Sequence, residues 1–187
     1  MASESTAALV RKILDGRKDL FAELIGAFQS PIYNLALRMT GSPADAADLT
    51  QEIFVRAWIN LDKYDPRRPF FTWLYTLALN LLRNHFKKKH LPVVDASSLP
   101  VELETGSHPA ADLEAEEEKA YLQALLLKLS VEQREAILMR FFGGLSFEEM
   151  ASVLGISQSA AKMRVSRGLE RLRALLSQRV GADFIRD

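Results

Sequence analysis

Apolar residues recur along this chain at three- and four-residue steps, a spacing that predicts amphipathic helices with one buried side. From Phe21 to Leu37 the broad apolar side is Phe21, Leu24, Ile25, Phe28, Ile32, Leu35 and Ala36, with Pro31 placed to kink the helix or divide it. Residues 40–43, TGSP, then punctuate the chain; Ser42 is read as a cap, Pro43 as the first helical position, and Asp45 sits three after the cap. The helix that follows has a buried stripe of Leu49, Ile53, Ala57 and Leu61, with Phe54 and Trp58 beside it. A third helix, Phe70 to Lys89, runs Leu74, Leu77, Ala78, Leu81 and His85 along its core side. Residues 145–176 read as two helices and a tight turn. Ser146 caps the first, Glu148 and Glu149 lie in its positive first turn, and Met150, Ala151 and Leu154 face inward. Gly155 stops that helix, Ile156 plugs the gap, and Ser157 caps a second whose core side is Ala161, Val165, Leu169, Leu172 and Leu176. No internal repeat and no convincing strand interrupts this pattern, so the expected fold class is all-α.

Between these helical blocks, residues 91–116 break every period laid over them. Three prolines, Gly106 and several Ser and Thr mark the segment as a flexible linker between two small helical domains. The expected modules are then residues 1–90 and 117–178, with a tail at 179–187. At 187 residues and 48% hydrophobic content the chain can bury two such cores. No apolar run approaches the length of a membrane helix, and the start lacks the basic-then-apolar order of a secretory signal, so a cytoplasmic protein without stable membrane insertion is expected. The absence of cysteine excludes disulfides and thiolate metal sites.

Net charge is zero only as an average over segregated blocks. Pro66 to Val94 contains no acid but has Arg67, Arg68, Arg83, Lys87, Lys88 and Lys89; Asp95 to Glu118 contains no Lys or Arg but carries eight acids. Ser157 to Arg179 returns to six cations against Glu170 alone. Two DNA-contacting modules joined by an acidic connector fit this order, the connector staying off DNA or occupying a positive channel on a partner.

Each module offers a surface for that role. On the last helix Ser159, Lys162, Met163, Ser166 and Arg167 are expected to face outward where a recognition helix meets base edges, with Arg164 and Arg171 on the flanks for phosphates. An amphipathic pair with a merely solvated basic face has the same pattern. On the third helix Trp73, Thr76, Asn80, Arg83, Asn84 and Lys87 mix an indole, amides and cations. Unstacked bases lie on rings while cations neutralise the backbone, so this face suits single-stranded DNA. The preceding loop adds Tyr64, Arg67, Arg68 and Phe70, a set able to receive a flipped base; for Phe71 and Leu74 a core position is expected. Asp45, Asp48, Glu52 and Arg56, with Gln51 and Val55 alongside, form a mostly acidic stripe that is either solvated or a protein-binding face.

Residues 38–58 (RMTGSPADAADLTQEIFVRAW), 70–86 (FFTWLYTLALNLLRNHF) and 129–173 together resemble the extracytoplasmic-function class of bacterial sigma factors, over about residues 10 to 178. The resemblance implies that the first module is the promoter-melting domain, or region 2. Its acidic helix would dock on the coiled coil of the polymerase beta-prime subunit through Asp45, Asp48, Gln51, Glu52, Val55 and Arg56. Its third helix and loop would read and open the −10 element, with Tyr64 to Phe70 as the pocket for a flipped non-template base. The second module, region 4, would bind the −35 element through Ser159, Lys162, Arg164, Ser166 and Arg167 and rest on the beta flap, while the connector threads through the polymerase. An anti-sigma factor, often membrane-bound, is the expected regulator; no cofactor is implied. The chain departs from the family pattern at Ser159, Ala160 and Ala161, where Gly-Thr-Val is frequent, and at Met163, where a small polar residue is usual. Those departures bear on −35 preference rather than on fold. With the chain ending soon after the second module, no extra sensory domain is expected.

Catalysis would need clustered carboxylates for a metal or a nucleophile with a base beside it, and the sequence offers neither. His85 and His90 fall near a basic helix end and His108 lies alone in the linker. A helix-turn-helix regulator acting on duplex DNA without polymerase remains the alternative, against which the base-stacking face at Trp73 to Asn84 argues.

Overall fold

The computed structural model describes the backbone of residues 2–88 and 110–183 and the side chains of 6–87 and 117–177. Its chain divides into two compact units, residues 1–91 and 92–187. All regular elements among the described residues are helical. None is long and apolar enough to cross a membrane.

The first unit comprises α1 (Ala2–Leu14), α2 (Phe21–Thr40), α3 (Pro43–Ile59) and α4 (Phe70–Lys88), with single 3₁₀ turns at Lys18–Leu20 and Leu61–Lys63. The expected α2/α3 corner forms as read. Gly41 takes the left-handed φ of 72° and its N–H closes on the Leu37 carbonyl at 2.8 Å; Ser42 Oγ accepts from the Asp45 N–H at 3.2 Å, and Pro43 opens α3. A cap of this kind contributes about 1 kcal/mol. Pro31 does not divide α2, which runs unbroken past it. Pro31 and Ala27, the residue whose carbonyl loses its helical donor, are both exposed, so water can satisfy that carbonyl. The core between α2, α3 and α4 is Leu24, Ile32, Met39, Ile53, Leu74, Leu79 and Leu82, and α1 adds Val10 and Ile13. Burial on α4 is broader than the expected stripe: Tyr75, Leu79 and Leu82 are buried, while Leu77 and His85 are only half-buried. Trp58, expected beside the core, is partly exposed with its edge against Phe21 at 4.9 Å.

The second unit begins earlier than composition suggested. α5 spans Ala110–Leu127, so residues 110–116, assigned to the linker with the Pro-, Gly- and Ser/Thr-containing stretch before them, are helical; residues 91–109 lie outside the described residues. α6 (Val131–Ile137) opens with a capping box, Ser130 Oγ accepting from the Gln133 N–H and Gln133 Oε1 from the Ser130 N–H, each at 3.3 Å. It widens into a π-helical turn, Leu138–Phe142, closed by the Gly143 N–H on the Leu138 carbonyl at 2.8 Å. Arg134 is the unexpected core residue. Its buried guanidinium donates to the carbonyls of Leu126 and Leu127 at 2.8 Å and of Leu129 at 3.3 Å around the end of α5, where the Leu126 carbonyl also accepts from the Leu129 N–H at 3.1 Å. Burial lowers its pKa to about 10, so it stays charged at neutral pH. Desolvating the ion costs several kcal/mol, and charged hydrogen bonds of about 1.5–3 kcal/mol each offset that cost.

α7 (Phe147–Leu154) and α8 (Gln158–Asp183) complete the unit. Ser146 and Glu149 form a reciprocal cap at 3.2 and 2.8 Å, Gly155 ends α7 at φ 64°, and Ser157 Oγ caps α8 by accepting from the Ala160 N–H at 3.1 Å. Ala161, Val165 and Gly168 are buried. At Gly168 a Cβ would stand 3.0 Å from Ile137 Cγ1, so the absent side chain lets α8 lie close on α6. The inward line therefore turns away from the expected one: Leu169 and Leu172 are half-buried and Leu176 is 44% exposed. Helical backbone also continues to Asp183, through the first part of the expected tail.

Candidate nucleic-acid interfaces

On α8 the inward packing of Ala161, Val165 and Gly168 turns the intervening positions to solvent. Ser159, Lys162, Met163, Ser166, Arg167 and Arg171 are all exposed, and Arg164 is half-buried on the flank, as the helical spacing required. Met163, at 53% exposure, is an apolar side chain in the middle of this polar face. Local bonds hold the hydroxyls: Ser157 Oγ and Ser159 Oγ lie 3.0 Å apart, and Ser166 donates to Glu170 Oε1 at 3.0 Å. The Phe147 ring of α7 lies under Lys162, whose Nζ is 5.7 Å from the ring centroid. Arg140, which periodicity did not single out, shares that ring at 4.8 Å and donates to the Leu145 carbonyl at 3.0 Å. The only signal for it in the sequence was a cation six residues before the Ser146 cap.

The loop before α4 differs from its expectation. Tyr64 and Phe70, read as a pocket for a base, are only 5% and 3% exposed. Tyr64 donates its hydroxyl to the Arg68 carbonyl at 2.7 Å, and its ring meets Phe70 at 5.3 Å and Trp73 at 5.6 Å. Aromatic rings among prolines and arginines look exposed in a sequence, but here they bury one another and pin the loop. Phe71, expected in the core, is half-buried between Phe28 and Tyr75. Arg67 and Arg68 remain outside. Asp65 accepts from the Arg67 N–H at 3.0 Å and pairs with its guanidinium at 2.8 Å; hydrogen bonding from Arg67 holds the carboxyl down at about 2.

Along α4 the half-buried Trp73 and Arg83 and the exposed Asn80, Asn84 and Lys87 share one face above this loop. Arg83 Nη1 donates to Asn80 Oδ1 at 3.0 Å. Thr76 belongs to the helix backbone instead, donating to the Thr72 carbonyl at 2.7 Å.

The stripe on α3 is less acidic than its composition. Asp48, Gln51, Glu52, Val55 and Arg56 are exposed and Asp45 is half-buried. Arg56 bonds Glu52 at 2.7 Å and so neutralises one carboxylate. Val55 at 56% and Ile59 at 65% exposure add an apolar strip one turn apart. Ile59 was missed because its outward placement depends on how α3 is rolled against α2. Among the described residues no group of three His, Asp or Glu side chains is placed to hold a metal.

Comparison with known proteins matches the same two regions. Residues 24–91 fit the family model of Sigma-70 region 2, and residues 119–172 that of Sigma-70, region 4. The ECF RNA polymerase sigma factor SigW of Bacillus subtilis is 32% identical over 176 residues, covering 89% of this chain and 94% of that protein. CnrH of Cupriavidus metallidurans, an RNA polymerase sigma factor, is 33% identical over 177 residues, covering 90% and 92%. Among solved structures, CnrH in complex with the cytosolic domain of CnrY matches with a TM-score of 0.67 at 29% identity, covering 92% of this chain and 97% of that one. The sigma factor RpoE in complex with the anti-sigma factor NepR from Bartonella quintana matches at 0.64 and 26%, covering 84% and 96%. Two regions matched in chain order, with relatives of one class aligned along most of its length, establish that this protein belongs to the extracytoplasmic-function class of sigma-70 family RNA polymerase sigma factors.

Proposed function

We propose that the chain directs core RNA polymerase to promoters by dividing recognition between its two units. The observation that carries this reading is the pairing of two unlike cationic surfaces. One is the exposed face of α8, with Arg164 on its half-buried flank; the other is the face of α4, where amides and cations stand above a ring-packed loop. In this reading Ser159, Lys162, Met163, Arg164, Ser166, Arg167 and Arg171 hold duplex DNA at the −35 element, cations on phosphates and the central side chains on base edges. Trp73, Asn80, Arg83, Asn84 and Lys87, with Arg67 and Arg68 at the rim, hold the −10 strand as it opens, and Tyr64 and Phe70 act from beneath by fixing the loop.

Core polymerase is bound through α3, where Asp45, Asp48, Gln51 and Glu52 supply charge and Val55 an apolar patch for the beta-prime coiled coil. The second unit rests on the beta flap and the acidic connector passes through a positive channel. An anti-sigma factor holds the protein inactive, a regulator of the kind found with the solved relatives. The chain works in the cytoplasm, and a membrane-anchored regulator would keep it at the inner face. No residue has a catalytic role. The test is transcription by core polymerase supplemented with the purified chain on a genomic template: initiation at discrete starts is expected. Tight duplex binding without any effect on polymerase would overturn the reading in favour of a duplex-only regulator.

A further inference from the structure

Met163 stands 53% exposed in the polar face of α8, with Ser159, Ser166 and Arg167 as its neighbours three and four positions away on the helix. Its sulfur is singled out by what the rest of the chain lacks. The chain has no cysteine and five methionines. Met39, Met139 and Met150 are completely buried, and Met1 lies outside the described residues. Among the described residues, Met163 therefore holds the only sulfur that a dissolved oxidant can reach without opening a core.

A thioether takes up one oxygen atom from a hydroperoxide to become a sulfoxide. A sulfur lone pair forms the S–O bond and the O–O bond breaks. The departing oxygen takes the proton of the oxygen now on sulfur and, with hydrogen peroxide, leaves as water. Sulfur loses two electrons and the peroxide gains them. The product replaces an apolar, flexible side-chain end with a dipolar oxygen that only accepts hydrogen bonds. In a major groove, N7 and O6 of guanine, N7 of adenine and O4 of thymine are acceptors as well, and the phosphates beside them are anionic. The apolar thioether can lie against such a surface, or on a thymine methyl group, whereas the sulfoxide oxygen must give up water there for little return. Resting on the proposed −35 role of α8, we propose that Met163 is a modification site: oxidation of its thioether by a hydroperoxide weakens −35 recognition, and reduction of the sulfoxide restores it. In that reduction a dithiol returns the two electrons through a methionine sulfoxide reductase, and the oxygen leaves as water.

The test treats the full chain with hydrogen peroxide, removes the peroxide and assembles holoenzyme with untreated bacterial core polymerase. Peptide mass spectrometry should find the sulfoxide at Met163 before Met39, Met139 or Met150. Affinity for a promoter fragment at which the untreated holoenzyme initiates should fall at least about fivefold, the lower end of what one spoiled base-pair position costs. On the same fragment with its −35 element scrambled the change should stay under about twofold, because the cations that hold phosphates are untouched. The two sulfoxide reductases, one for each epimer, supplied with a dithiol, should restore the lost affinity. Met163→Leu, compared with itself before and after peroxide, should show no loss; it keeps Met1 and the buried methionines, so a loss in this variant would place the effect elsewhere. The inference is overturned if a buried methionine oxidises first, if the Met163 sulfoxide leaves promoter affinity unchanged, if the reductases fail to restore it, or if Met163→Leu is as sensitive as the wild-type chain. Any of these results with initiation intact leaves the sigma reading standing. An untreated holoenzyme indifferent to the scrambled element removes the −35 role of α8 and the inference with it.

Discussion

The outward faces of α4 and α8 both carry cations, yet they are built on opposite plans. On α8, Lys162, Arg167 and Arg171 are exposed, and order comes from what lies behind them: Ala161, Val165 and Gly168 seated on the core. On α4 the side chains of the corresponding face are themselves partly packed, Trp73 against Tyr64 and Phe70, and Arg83 against the Asn80 amide. The difference fits the two nucleic-acid partners proposed for these faces. A duplex brings its own regular groove, so long exposed cations can adjust to it. An opened strand has no fixed shape, and the protein must supply rigid rings and oriented amides instead.

The largest effect should come from uncoupling both faces from polymerase. Reversing Asp48 and Glu52 together to Lys places two cations on the exposed side of α3 and should reduce core polymerase binding by at least about a hundredfold, since like-charge contacts at an interface cost several kcal/mol. Helicity by circular dichroism and duplex binding through α8 should be unchanged. Normal holoenzyme assembly by the reversed chain would show that α3 is not the docking face.

Next in size is Arg134→Met, which leaves the Leu126, Leu127 and Leu129 carbonyls without their charged donor and should destabilise the second unit by about 2–4 kcal/mol. Denaturation followed separately in the two units should show −35 binding lost first. Coincident loss of both units would mean that they unfold together.

The two faces themselves should separate in a paired experiment. Arg167→Ala should weaken duplex −35 binding by about 1–3 kcal/mol and lower its salt dependence. Trp73→Leu keeps apolar bulk but removes the ring, and should cost a similar 1–3 kcal/mol in open-complex stability on a premelted template. Each variant should be close to wild type in the other's assay; equal losses in both assays would break the division between α4 and α8.

The smallest expected effect lies in the loop. The Asp65 carboxyl is held at about 2, below its ordinary 3.8, so its folded state favours the charged form. That contribution is complete above 3.8 and is lost as pH falls through about 2, leaving the Asp65–Arg67 clamp intact at neutral pH. A carboxyl titration by NMR checks this; a midpoint at or above the ordinary value would mean that the clamp is open in solution.

Local chemistry made much of this legible beforehand. Ser42, Pro43 and Asp45 start α3, and Ser146, Gly155 and Ser157 set the helix-turn-helix, because caps and left-handed stops depend on the residue and its near neighbours alone. The same locality placed Lys162, Met163 and Arg167 outward. Other features were not readable in this way. Composition hid the start of α5, since the prolines, Gly106 and Ser/Thr that mark a linker run up to Pro109, directly before the helix begins at Ala110. A short apolar set, Val10 and Ile13, gave no sign of α1. The burial of Tyr64 and Phe70 depends on three rings converging from a loop and a helix.

The order of α2, α3, α4, α7 and α8, the all-helical class, the segregation of charge and the outward face of α8 were thus determined by the sequence itself, since each arises from periodicity or from contacts a few residues apart. Tertiary structure alone decided that Tyr64 and Phe70 are buried against Trp73 and each other, and that Arg134 enters a core to cap another helix. It also decided that Gly168 rather than Leu176 carries the packing of α8. In each case the deciding partner is on a different element, and whether a ring, a cation or a missing side chain faces inward depends on what packs against it.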